Sequence, residues 1–388
     1  MLIRDIEKTI VQVVPKIPVI VITGPRQSGK TTLARSLFPN YKYINLELPD
    51  NYELAKNDPY VFLKNIEKGI ILDEIQRVPS LLSYIQGLTD EKGINGKVIL
   101  TGSQNLHLME AIGQSLAGRA VNFTLLPFSL NELKPLKTDA ETDQYLFKGF
   151  YPRLYDQDIS PLLWLPSYIQ SYLERDLRQL INVKDLDKFQ LFLRIIAGRT
   201  GQLINYQSVS NEIGVDAKTI RNWLSILETS YIIFHLKPYY RNFNKRLIKS
   251  PKIYFYDTGL ACSLLGIKDP LQVASYYQRG NLFENMIIAE IKKQYFNAGI
   301  PDSLFFWRDS SGNEIDCIIE SAGHIRIIEI KSSSTMHDDF LKNIRIFKKI
   351  AGPLVSESYL VYSGNENMVY NDCQITSWQQ IHEQNFIS

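Results

Sequence analysis

Eight consecutive residues carry the most specific chemistry in this sequence. Gly24, Pro25, Arg26, Gln27, Ser28, Gly29, Lys30 and Thr31 place four residues between two glycines and a Lys-Thr pair directly after the second, with Thr32 next. The apolar run Val19–Ile22 precedes them and a helix-like stretch follows. Glycines let backbone N–H groups curl around phosphate oxygens without a Cβ clash, and a helix N-terminus adds partial positive charge. This is the pattern of a phosphate-binding loop for ATP. In it Lys30 reaches the β- and γ-phosphates, and the Thr31 hydroxyl is a ligand for Mg²⁺.

Further along, Gly69-Ile70-Ile71-Leu72 is an apolar strand that ends in Asp73 and Glu74. Asp73 is expected to hold the Mg²⁺ through a water molecule and Glu74 to polarise the attacking water as general base. A third apolar run, Val98–Thr101, delivers Ser103 and Gln104, either of which suits a sensor of the γ-phosphate. Arg119 is the candidate cation for transition-state charge. It acts either within its own subunit or across an interface, and the second option implies a homo-oligomer.

A second constellation lies in the last third of the chain. Glu284 shares a helix face with Ile287, Ile288 and Ile291, and an acid on an apolar face needs a reason; Glu290 points elsewhere and reads as solvated. Asp316 falls in one alternating segment, Glu329 and Lys331 on one face of another. Two adjacent strands are expected to gather Asp316, Glu329 and Lys331 over the helix bearing Glu284. Hard carboxylate oxygens suit a second Mg²⁺, and the lysine suits positioning a water for phosphodiester attack. Ordinary strand acids with an i,i+2 ion pair are the alternative.

Between the two lies a helical region. Val209, Ile213, Val215, Ile220, Leu224 and Leu227 repeat at helical spacing, broken at Gly214-Val215-Asp216. A tight turn between two helices, with Asp216 capping the second, is the helix-turn-helix arrangement. Lys218, Thr219, Arg221 and Asn222 then occupy positions suited to phosphates and base edges. Arg241, Lys245, Arg246, Lys249 and Lys252 follow with no acid among them, interleaved with Tyr239, Tyr240 and Phe243. They form a candidate basic wing, which makes double-stranded DNA a candidate partner.

Positioning these groups requires several domains, and 388 residues are enough for them. The fold class expected is α/β: a parallel sheet with helices on both faces over residues 1–135. A helical linker or lid (136–185), a winged helix (186–250) and a small α/β domain (251–388) follow. The strands of the first domain are expected at Val19–Ile22, Tyr43–Leu46, Ile70–Leu72 and Val98–Thr101, with helices at Thr31–Phe38 and Pro79–Asp90. A net charge of +2 gives no global preference for nucleic acid, so any basic surface is local. Three cysteines without CxxC spacing argue against a disulfide framework, and five histidines lack zinc-ligand spacing. With no signal-peptide pattern and no apolar run long enough to span a bilayer, a cytoplasmic location and no membrane partner are expected.

Taken together, GPRQSGKTTL, IILDEIQ, LTGSQ, SLAGR before LLPFSLNEL, YLERDL and PKIYFYDTGL resemble a prokaryotic family of AAA+-like P-loop ATPases. Members carry a winged helix and a C-terminal domain of uncertain function. Glu284, GNEIDCIIE and IEIKSS look like a PD-(D/E)xK nuclease fold. The resemblance implies ATP and Mg²⁺ binding; the function expected from the residues together is an ATPase whose nucleotide state controls how the winged helix and the nuclease-like domain engage DNA. A signalling ATPase whose last domains bind protein, without nuclease action, is the alternative.

Overall fold

A computed structural model describes residues 2–64, 66–103, 113–136, 141–177, 185–240 and 249–387. The chain divides into two compact units. The first holds Met1–Phe128, Thr229–Tyr231 and Phe296–Ile300; the second holds Ser129–Glu228, Ile232–Tyr295 and Pro301–Ser388.

In the first unit the apolar runs become β1 (Val19–Thr23), β2 (Lys42–Asn45), β3 (Ile70–Asp73), β4 (Val98–Thr101) and β5 (Ala120–Thr124). They pair in parallel in the order β2-β3-β4-β1-β5. A parallel sheet must be covered on both faces, so its strands read as continuous apolar runs. Val19 and Val21 of β1 enter one core with Leu72 and Leu100, while Ile20 and Ile22 enter another with Ile71 and Ile99. Helix α1 (Lys30–Leu37) covers the second face through Leu33 and Ala34. Helix α2 (Leu81–Lys92) covers the first through Leu81, Leu82, Ile85 and Leu88, and stops at Gly93 in the left-handed region. This is a P-loop NTPase sheet. Because β4 lies between β1 and β3, the carboxyl ends that carry Gly24, Thr101 and Asp73 are side by side.

The second unit begins with short helices, among them α3 (Pro161–Tyr168). Pro166 lies inside α3, and the chain continues through Ile169–Leu177 in the wider turns of a π-helix. A missing N–H beside such widening is the expected consequence of a helical proline. Helices α4 (Leu186–Ala197), α5 (Tyr206–Ile213) and α6 (Ala217–Thr229) follow. Gly214, at φ 72°, ends α5, and Asp216 accepts from the Thr219 N–H at 2.8 Å, the turn and cap expected from sequence.

The chain then enters an eight-stranded sheet. Its strands are β6 (Ile233–Pro238), β7 (Lys252–Phe255), β8 (Leu304–Arg308), β9 (Glu314–Ser321), β10 (His324–Lys331), β11 (Val355–Tyr362), β12 (Met368–Tyr370) and β13 (Cys373–Ser377). Their order is β12-β13-β11-β10-β9-β8-β6-β7. Helix α7 (Arg279–Ala298) contributes Glu284, and α8 (Lys342–Ala351) packs Ile344 and Phe347 with Ile327 and Leu360. The boundary expected at 250/251 falls within the β6–β7 hairpin, whose first strand also pairs with β8. The three helices therefore lead through β6 directly into the eight-stranded sheet. Among the described residues, no helix is long and apolar enough to cross a membrane.

Candidate functional site

The loop after β1 is shaped by two glycines. Gly24 has φ 142°, and a Cβ there would overlap the Leu125 carbonyl oxygen; Gly29, at φ 94°, opens α1. The Lys30 ammonium is buried and donates to the Gly24 and Pro25 carbonyls at 3.0 and 2.8 Å. Burial lowers its pKa to about 8, against the opposing pull of Glu74 and Asp73. The Ser28 hydroxyl is buried and makes no hydrogen bond among the described residues. A glycine cradle, a buried hydroxyl without an acceptor and an ammonium at the loop together fit a phosphate chain.

Arg4 is a loop-bracing residue for which the sequence holds no motif. Its buried guanidinium donates to the Ser28 carbonyl at 2.9 Å and the Leu126 carbonyl at 2.7 Å, and lies 4.8 Å from the Phe128 ring centroid. An isolated arginine near the start of a chain reads as a surface residue unless its distant partners are known.

Asp73 ends β3 beside α1 and gathers hydroxyls. It accepts from Thr31 at 3.0 Å to both oxygens, from Tyr43 at 2.7 Å and from Thr101. The Tyr43 phenol is raised above its usual value, first by burial and then by the Asp73 carboxylate. A hydroxyl and a carboxylate at this separation are a suitable donor pair for Mg²⁺. The metal would supply charge neutralisation on the phosphates. A cleft of about 540 Å³ adjoins the pair, lined by Thr31, Thr32, Arg35, Phe38 and Tyr43 among others.

Glu74 adopts a left-handed backbone, φ 60° and ψ 47°, which is uncommon for a glutamate and occurs where surrounding structure enforces it. Its carboxylate accepts from the Gln76 side-chain amide, and that amide also donates to the Ser103 hydroxyl at 3.0 Å. Gln76 thus links Glu74 to Ser103, a connection invisible in the spacing alone. Gln104 lies outside the described residues.

Arg119 is placed differently from the expectation of an arginine serving its own subunit. Its carbonyl accepts from the N–H of Val19, the first residue of β1, whereas the loop follows the last. In a parallel sheet these are opposite edges, separated by the strand length of about 13 Å at ~3.3 Å per residue. The guanidinium forms a forked pair with Asp90 at 2.6 and 2.8 Å. Arg119 therefore lies at the end of β1 opposite the loop of its own subunit, with its guanidinium held by Asp90.

In the second unit the expected cluster assembles, with additions. Glu284, Asp316 and also Glu314 offer carboxylate oxygens within 4.8 Å of one another. Asp316 accepts from the Ile330 N–H at 2.8 Å, and Lys331 lies 3.8 Å from Asp316 and 2.7 Å from Glu329. Burial, then the Asp316 charge, pushes Glu329 up to about 8; burial likewise pushes Glu284 up to about 7. The unexpected member is Lys252, counted in the sequence with the basic wing. It is buried, lies 2.8 Å from Glu284 and pairs also with Glu314. Burial opposes its charge, but Glu284, Glu314 and Asp316 outweigh this and raise its pKa above the lysine norm. A cation already bonded to two of the three clustered acids does not fit a divalent metal at the same place, so no step through a metal is derived there.

Glu290 also departs from expectation. It is buried, accepts from the Leu130 N–H at 2.8 Å and pairs with Lys293 at 2.6 Å. In the helix-turn-helix region Lys218, Arg221 and Asn222 are exposed, and Arg221 lies 5.0 Å from the Tyr206 ring centroid. Arg241, Phe243, Lys245 and Arg246 lie outside the described residues. A larger cleft of about 820 Å³ in this unit is lined by Lys134 and Arg279, but these are paired with Glu383 at 3.0 Å and Asp143 at 2.7 Å.

Comparison with known proteins follows the same division. Residues 16–134 match an AAA domain, 139–271 match a domain of unknown function (DUF8612) and 279–381 match another (DUF4143). The chain is similar to an uncharacterized protein of Mycobacterium tuberculosis, with 28% identity over 335 residues covering 86% of this chain and 74% of the relative. It is also similar to an uncharacterized protein of Haemophilus influenzae, with 24% identity over 368 residues covering 85% and 87%. Among solved structures, a Walker-type ATPase of Pyrococcus abyssi shares 15% identity over 68% of this chain and 95% of its own, at a TM-score of 0.45. Residues 16–134 thus combine the parallel sheet and its glycine loop with a match to an AAA domain.

Proposed function

We propose that the protein is a Mg²⁺-dependent ATPase whose nucleotide state controls a winged-helix module and a nuclease-like module that engage duplex DNA. The observation that carries the ATPase reading is the approach of Thr31 to Asp73 beside the buried Lys30. Lys30 binds the phosphates, Thr31 and Asp73 hold the metal, and Glu74 takes a proton from the attacking water. Ser103, tied to Glu74 through Gln76, reports the γ-phosphate. Support for DNA comes from the exposed Lys218, Arg221 and Asn222 at the start of α6.

A second reading, a signalling ATPase whose C-terminal unit binds protein, is favoured by the burial of Lys252 and the pairing of Lys331 with Glu329 and Asp316. Both cations are already paired with carboxylates. Phosphate release measured with and without duplex DNA separates the readings. Stimulation by DNA that declines with salt supports the first. Turnover unaffected by DNA, with no duplex binding at low salt, supports the second. Failure of wild-type protein to release phosphate in the presence of Mg²⁺ removes both.

A further inference from the structure

We propose that the ammonium of Lys252 is the resident cation of the carboxylate cluster, charge-balancing Glu284, Glu314 and Asp316 in place of a divalent metal. The residues come from three elements. Lys252 opens β7, Glu284 belongs to α7, and Glu314 and Asp316 belong to β9. Tyr254, two residues beyond Lys252 and on the same side of β7, also donates its hydroxyl to Glu284. Strand β7 thus directs two donors at one helix acid.

Two further cations and an amide meet Glu314, Asp316 and Glu329. Arg308 pairs with the second oxygen of Glu314 at 3.3 Å, Lys331 pairs with Glu329 and Asp316, and Asn343 donates to Glu329 at 3.1 Å. Four acids therefore face three cations. A divalent ion entering between Glu284 and Glu314 must break both ion pairs of a buried ammonium, and that ammonium, held on the same strand, would then face the ion at close range. The consequence is a nuclease-like domain that is a metal-independent module, its hairpin pinned to α7 and β9 by an ion-pair network.

Direct titration of the full-length chain with MnCl₂, without nucleotide, tests this. Wild-type protein is expected to show no Mn²⁺ site that depends on Glu284, so wild type and Glu284→Gln give the same binding curve. Lys252→Met removes the ammonium while keeping the stem, and is expected to gain one Mn²⁺ site per chain that the wild type lacks. The gain should disappear in Lys252→Met/Glu284→Gln, and Mn²⁺ should raise the Tm of Lys252→Met but not of wild type. A Glu284-dependent Mn²⁺ site in wild type overturns the proposal, as does a folded Lys252→Met that gains none. If Lys252→Met does not fold, the comparison of wild type with Glu284→Gln decides alone. The titration contains no nucleotide, so its outcome is separate from that of ATP turnover.

Discussion

The Thr31 hydroxyl lies 3.0 Å from both carboxylate oxygens of Asp73, joining two residues 42 positions apart at the carboxyl edge of one parallel sheet. β1, β4 and β3 run parallel, so the loop after β1 and the Asp73 that ends β3 lie at the same edge of the sheet, and Thr31 in the first turn of α1 spans the width of β4 between them. Asp73→Asn keeps the shape and most of the hydroxyl contacts but removes the charge that a divalent cation requires. It is expected to lower ATP turnover roughly 10²–10³-fold, the scale of losing one electrostatic stabiliser in a dry site. Phosphate release across a Mg²⁺ titration checks it, and wild-type turnover by Asp73→Asn would move the metal role elsewhere.

Lys30 gives the ATP site a pH dependence with a defined sign. Its pKa is lowered to about 8 by burial, so above pH 8 the ammonium loses its proton. Bound phosphate favours the charged form and raises that value. ATP binding should therefore take up a proton above pH 8, and affinity should fall as pH rises through 8 toward the higher value in the complex. Calorimetric titrations in two buffers of different ionisation enthalpy at pH 8.5 measure the proton directly. Affinity that stays level from pH 7 to 9.5 contradicts the assignment.

Gln76 joins Glu74 to Ser103 through one side-chain amide. If Glu74 is the base, losing the Gln76 donor leaves its carboxylate with the longer 3.5 Å contact from the Ser103 hydroxyl and lets it sample unproductive rotamers, so Gln76→Ala should lower kcat about tenfold while leaving KM for ATP near wild type. Glu74→Gln should bind ATP and fail to turn it over. A Gln76→Ala variant with raised KM and unchanged kcat would make Gln76 a binding residue instead.

The ATPase sheet was legible in the sequence because both faces of a parallel sheet are covered, which makes runs such as Val19–Ile22 and Val98–Thr101 continuous and easily bounded. The loop was legible because its backbone geometry demands Gly24 and Gly29. What escaped the sequence were side chains whose partners are far along the chain. Lys252 follows a run of basic residues and reads as one of them, yet its strand position turns it toward Glu284 and Glu314. Glu290 reads as a solvated helix acid, but Lys293 and the Leu130 N–H receive it in the interior. Arg119 follows a glycine turn as a catalytic arginine does, and only the register of β5 against β1 shows which edge of the sheet it occupies. Charge runs and single acids are read by composition, whereas their partners are set by topology.

Arg4 supplies the clearest test of how the loop is held. Its guanidinium satisfies two carbonyls, Ser28 within the loop and Leu126 beyond β5, and it is buried while doing so. Arg4→Ala leaves these acceptors without their donor, at a cost of about 1–3 kcal/mol for each one left unsatisfied and buried. The Tm of the ATPase unit should drop by roughly 5 °C or more. Because Ser28 precedes Gly29 and Lys30, the loosened loop should also weaken ATP binding, so nucleotide should raise the Tm of Arg4→Ala by less than it raises that of wild type. Arg4→Lys retains one charged donor and should recover part of both losses. Thermal melts of the three proteins with and without ATP and Mg²⁺ separate a brace from a merely structural arginine. An Arg4→Ala protein with lowered Tm but the full wild-type nucleotide shift would assign Arg4 to folding alone.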